Sequence, residues 1–82
     1  MPPSDEPIAL QVGAYSGGSG EEEPRWLELG GRRLAVLSVL ERWREPAGRF
    51  FRVHCQGGRR LLLMCREPDR SWWWVRGRED RA

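Results

Sequence analysis

Three groups of residues in this chain could do chemistry. They are the single histidine, His54, beside Cys55 and eleven residues before Cys65; the carboxylate run Glu21-Glu22-Glu23; and aromatic rings set among fourteen arginines. The first suggests a thiolate nucleophile with an imidazole base, the second a general acid and base, and the third a surface that grips anions and stacks on flat groups. Each requires a backbone that holds it. His54 lies in the alternating run Phe51-Arg52-Val53-His54-Cys55, and strand neighbours point to opposite faces, so His54 and Cys55 cannot meet as base and nucleophile. The glutamate run follows a Gly/Ser stretch that cannot bury enough surface to order itself, whereas catalysis needs held geometry. One histidine and two distant cysteines supply no structural metal site, and a chain without lysine carries no phosphate-binding Gly-Lys-Ser/Thr loop. The expectation is a non-enzyme with no metal and no cofactor.

The third group is better supported. Residues 1 to 24 carry five acids and no arginine, and residues 25 to 82 carry fourteen arginines and seven acids, so the net charge of +2 divides into −5 and +7. The basic charge belongs to the part that folds. Arginine without lysine is also what a compositional bias produces, but an arginine-bearing surface favours phosphate or carboxylate partners over a bare apolar groove. No apolar run approaches the roughly 20 residues that span a membrane, and the start is not a signal segment, so a cytoplasmic location and no membrane partner are expected.

The positioning elements follow from periodicity and punctuation. An N-terminal region, residues 1 to 24, contains a strand at about 8 to 12, with Ile8, Leu10 and Val12 on one side, and a flexible acidic Gly/Ser loop at 16 to 24. A β-meander core covers 25 to 77, and 78 to 82 form a frayed tail. Gly30-Gly31 and Gly57-Gly58 each separate apolar runs, which signals hairpins. A two-residue turn at Gly30-Gly31 sets Leu27 opposite Leu34 and Glu28 opposite Arg33, a register that puts apolar residues on one face and an ion pair on the other. For the second hairpin, a three-residue loop Gln56-Gly57-Gly58 with Gly58 left-handed sets Phe51 opposite Leu63 and Val53 opposite Leu61. That register separates Cys55 and Cys65 by about 20 Å, too far for a disulfide, and makes them small buried hydrophobes.

Residues 32 to 45, RRLAVLSVLERWRE, carry both helix and strand signals. Val36, Leu37, Leu40 and Trp43 fall at helical spacing, but the Gly-Gly turn supplies no N-cap and the strand before it needs a partner. A long bent strand with a bulge near Leu37 to Ser38 satisfies both requirements. Turns at 45 to 48 and 69 to 71 complete a mainly β fold: a five- or six-stranded antiparallel meander curled into a small open SH3-like barrel.

The landmarks W-L-E-L-G-G-R-R-L-A-V, V-L-E-R-W-R-E, F-F-R-V-H, R-R-L-L-L-M-C and S-W-W-W-V-R, spanning residues 25 to 76, resemble a small bacterial domain of unknown function. That domain occurs alone or fused at the C-terminal end of ImuB-type proteins, the inactive Y-family polymerase relatives of mutagenic repair. The resemblance implies a β-rich fold and a DNA-damage context, and transfers no catalytic residue. Its members tend to carry an acid and an aromatic in the fourth strand, where this chain has Leu61 to Cys65, and an acid soon after the last strand, where it has Arg76-Gly77-Arg78.

The candidate binding residues are Phe50, Arg52, His54 and Arg60 on the outer parity of the second hairpin, with Trp72, Trp74 and Arg76 of the last strand. Leu62 and Met64 share the hairpin's outer parity. The leading expectation is a non-catalytic interaction module with a protein partner. The alternative is a single-stranded nucleic-acid-binding module, because rings interleaved with arginines stack bases and neutralise phosphates. The same rings could instead fill a second small core.

Overall fold

The computed structural model describes residues 6–16 and 22–76. Six antiparallel strands, β1 (Ile8–Ser16), β2 (Glu22–Leu29), β3 (Arg32–Glu45), β4 (Gly48–Cys55), β5 (Arg59–Arg66) and β6 (Trp72–Trp74), form a barrel in chain order. The barrel is closed, because β6 pairs with β5 on one side and with β1 on the other. An open sheet would leave two edges for a partner strand, and closure removes them. The pairings that close it are Ile8 with Trp74, Ala9 with Trp73 and Leu10 with Trp72. Among the described residues no helix is long and apolar enough to cross a membrane.

Both hairpin registers match the sequence expectation. Leu27 faces Leu34 and Glu28 faces Arg33, whose side chains pair at 3.1 Å; across the second hairpin Phe51 faces Leu63, and Val53 faces Leu61. Both glycines of the loop Gln56–Gly58 have positive φ, +84° and +81°, one more than the bulge geometry alone requires. The inward parity builds the core: Leu27, Phe51, Val53, Cys55, Leu61, Leu63, Cys65 and Trp72 are buried together.

Residues 32 to 45 form a single strand with two register shifts, the first between Val36 and Ser38 and the second between Val39 and Glu41. Each leaves one residue unpaired. These are Leu37 and Leu40, the two most exposed large apolar residues of the strand at 61% and 44%. The bulges bring Val36, Val39 and Arg42 opposite Cys55, Val53 and Phe51. A spacing of three on one strand therefore meets a spacing of two on the other, which is how a strand acquires the apolar period of a helix.

The N-terminal region differs from expectation in extent. β1 runs on to Ser16 and β2 begins at Glu22, so strands take residues 16 and 22–24 of the expected loop; its residues 17–21 lie outside the described residues, as do 1–5 and 77–82. Two of the acids expected to be solvated are held. Glu23 pairs with Arg42, Glu22 accepts from Arg70 at 3.2 Å and its carbonyl from Arg49 at 2.8 Å, while Pro24 is fully buried.

Cys55 and Cys65 are free and buried, and burial pushes both thiols above their ordinary range. The folded state thus holds these protons more tightly than the unfolded chain. Their contribution to stability is complete below the ordinary thiol range and is lost as pH rises through the raised folded values. Alkylation by iodoacetamide at pH 8 should be slow on both residues and accelerate in urea in step with unfolding. Rapid labelling of either cysteine in the native state would contradict this packing.

Candidate interaction surface

β3, β4, β5 and β6 present one outward face, and their registers align its side chains in rows. Trp43 faces Phe50, Phe50 faces Met64, and Met64 faces Trp73, giving a continuous row of two indoles, a phenyl ring and a thioether across four strands. At about 4.8 Å per strand the row is roughly 14 Å wide. Trp43 and Phe50 stack nearly parallel, with centroids 5.5 Å apart and planes 11° apart. Phe50 and the neighbouring Leu62 are 3% and 0% exposed although both have outward parity, while Trp43, Met64 and Trp73 are half-buried. The row is thus a thin second core whose outer members still meet solvent.

Its indoles are fixed by their own hydrogen bonds. Trp43 Nε1 donates to Glu45 Oε2 at 2.7 Å, and Trp73 Nε1 donates to Ser71 Oγ at 2.9 Å. Ser71 in turn donates its hydroxyl (2.7 Å) and backbone N–H (3.0 Å) to Asp69 Oδ1, and these bonds hold the Asp69 carboxyl below its ordinary range. Rings with settled orientation lose little freedom when a partner covers them.

The charges on this face flank the row of rings. Beside the row lie Glu45 and Arg66 in one direction and Glu41 with Arg52 in the other; Arg52 Nε pairs with Glu41 Oε1 at 2.8 Å. Two acids and two arginines leave these flanks neutral. The next row toward the glycine hairpins holds Ser38, His54 and Arg60, with no acid among them. At the mouth beyond it, Arg59 and Arg76 lie 5.8 and 5.9 Å from the centroid of Trp74, and Arg76 Nη2 donates to the Glu6 carbonyl at 3.2 Å. None of Arg32, Arg59, Arg60 and Arg76 forms an ion pair with a described carboxylate. The opposite end is balanced: Arg42, Arg44 and Arg70 pair with Glu23, Glu67 and Glu22.

The expected site residues therefore divide. Trp72 and Trp74 point inward, a correction forced by register: Cys65 faces Trp72 and Leu63 faces Trp74, and both cysteine and leucine belong to the core. Trp72 is 8% exposed and packs on Phe51 at 5.5 Å. Trp73 is the member of the triplet that shares the outer row. Phe50 is in that row but beneath its neighbours, Arg52 is joined to Glu41 and lies 5.8 Å from the Trp43 ring, and His54 and Arg60 sit at the basic end. Arg76 lies at the mouth, away from the aromatic row. Of the arginines expected to interleave with the rings, Arg52 keeps the Trp43 ring beside it, whereas Arg60 and Arg76 lie away from the row.

Sequence reasoning missed Trp43 and Trp73. The signal was present in the even count of six residues between Cys65 and Trp72, which gives facing positions the same parity. Two clefts at the Glu22 end, of about 180 and 210 Å³, fall below the roughly 300 Å³ at which small-molecule sites usually begin, and ion pairs line both. Among the described residues no group of three or more His, Cys, Asp and Glu side chains could hold a metal ion. Comparison with protein-family models, with curated proteins and with solved structures finds no match to this chain.

Proposed function

We propose that this chain is a non-catalytic protein-interaction module that docks a partner on the row Trp43–Phe50–Met64–Trp73. The carrying observation is the row itself: four apolar residues aligned across the outside of a closed barrel, two of them tryptophans with anchored indoles. Trp and Met are enriched at interface centres, where a few well-packed anchors supply most of the binding energy. The neutral flanks weigh against single-stranded nucleic acid at this row, since stacked bases bring phosphates that need cations alongside. Buried, unpaired thiols fit a reducing compartment, so a cytoplasmic location is part of the proposal. A DNA-damage setting rests on the landmark resemblance alone.

In-cell photocrosslinking tests this reading. A photoreactive phenylalanine analogue at Ala9, which faces Trp73 on β1, should trap a protein, and the same group at exposed Tyr15 should not. Trp43→Ala should abolish the Ala9 adduct. A fluorescent oligothymidylate titrated at low and high salt should neither bind nor quench tryptophan. Steep salt-dependent binding with quenching would instead establish the nucleic-acid reading.

A further inference from the structure

Resting on that reading of the aromatic row, we propose that the docked partner segment is acidic, with its apolar anchor on Trp43–Phe50–Met64–Trp73 and its carboxylates on the arginines of the hairpin end. Charge complementarity argues for it. The described arginines divide by location: at the Glu22 end Arg42, Arg44 and Arg70 are paired with carboxylates and Arg49 donates to the Glu22 carbonyl, whereas Arg32, Arg59, Arg60 and Arg76 at the hairpin end form no ion pair among the described residues. Guanidinium groups with no ion pair among the described residues, lying beyond one end of an apolar anchor row, complement a segment that brings both acids and an apolar anchor.

The geometry sets the spacing of that segment. Along β5 toward the hairpin end the outward residues run Met64, Leu62, Arg60, so in that direction the anchor row and the first arginine without an ion pair are four residues apart. At strand rise this is about 13 Å, or four residues of extended partner chain. Arg60 lies across from His54, and Arg59 and Arg76 continue the positive end past it, each over the rim of Trp74. The glycine tips at Gly57 and Gly58 have no atom within 4 Å of where a Cβ would stand, so the loop leaves open space for the segment to approach.

The test is selection of random peptides of about twelve residues, displayed on phage, against the full chain, followed by fluorescence anisotropy of the enriched peptide; fully extended, that length spans about 40 Å and covers both ends of the face. Enrichment of a large apolar residue with two or more Asp or Glu about four positions away supports the proposal. Replacing those acids by Asn or Gln should weaken binding about tenfold, and the difference should shrink below about threefold on an Arg59→Gln/Arg60→Gln variant, as expected for two solvent-facing ion pairs. Enrichment of apolar anchors without acids overturns the acidic partner and leaves the anchor row standing. No enrichment over Trp43→Ala/Trp73→Ala overturns both. Met64→Ser, a milder change checked for an unchanged melting curve, guards against a variant that merely unfolds. Displacement of the selected peptide by equimolar oligothymidylate at low salt would assign the arginine end to nucleic acid and overturn the proposal.

Discussion

Gly48→Ala is expected to cost this domain about 3 kcal/mol or more and to lower its melting temperature by roughly 15 °C, the sensitivity of a chain of this size. Gly48 opens β4 after the Pro46-Ala47 turn with φ of +154°, and it is buried against β5. A Cβ there would stand 2.2 Å from the Cys65 carbonyl oxygen and 3.0 Å from the Arg66 Cα. Both are backbone atoms of the facing strand, so relief requires moving the ladder. Gly13 is the control that separates crowding by backbone from crowding by side chain. Its Cβ would overlap Trp26 at 2.0 Å from Nε1, because the indole lies across the glycine with the Arg33 guanidinium 3.7 Å from its ring centroid. An indole can swing aside, losing the ring-over-glycine contact and the cation–π pair, which amounts to about 1 to 2 kcal/mol. Urea denaturation of both variants should rank Gly48→Ala well below Gly13→Ala. The reverse order would mean that the β4–β5 approach at the turn is looser than the register requires.

The parts of this fold that were legible in the sequence are those fixed by local turn chemistry. Two Gly-Gly pairs between apolar runs set two registers residue for residue, and with them the core face Phe51, Val53, Leu61 and Leu63. What escaped was whatever depended on long-range closure. Barrel closure through Ile8–Trp74 to Leu10–Trp72 has no local signature, because β1 and β6 lie at opposite ends of the chain. The order of Glu22 to Pro24 is also tertiary: polarity forecast a solvated run, but Arg42, Arg49 and Arg70, contributed by three later segments, hold it in β2. The outward orientation expected of Trp72 and Trp74 is corrected for a different reason. The residue types of the candidate site are plain in the sequence, but which parity of the last strand faces outward depends on the length of the turn before it, which places Trp72 opposite Cys65. That turn is compact, with Arg70 in left-handed conformation at φ of +58° between Asp69 and Ser71, and it returns the chain so that Cys65 meets Trp72.

The triplet Trp72-Trp73-Trp74 gives the sharpest division between folding and binding. Trp72→Ala should remove about 3 to 5 kcal/mol, the range for emptying a buried tryptophan site, out of a total near 0.05 to 0.15 kcal/mol per residue. The side chain is 8% exposed, packs on Phe51, and stands where β6 is paired to both β1 and β5, so its loss loosens the closing strand on both sides. A largely unfolded chain at 37 °C is the expected result, read by far-UV circular dichroism and urea titration. Trp73→Ala removes a half-buried ring whose one described polar bond is to Ser71, and should cost no more than about 1.5 kcal/mol while eliminating the crosslink from position 9. Trp74→Ala lies between: it uncovers the barrel mouth and releases Arg59 and Arg76 from the ring, so stability falls moderately while the hairpin end keeps its charge. Adjacent residues of one type thus have opposite expected signatures, because strand parity sends the first and third into the core and the second to the surface. If Trp73→Ala unfolded the domain as severely as Trp72→Ala, the outer row would be structural in the full sense, and the partner surface would have to be sought at the arginine end alone.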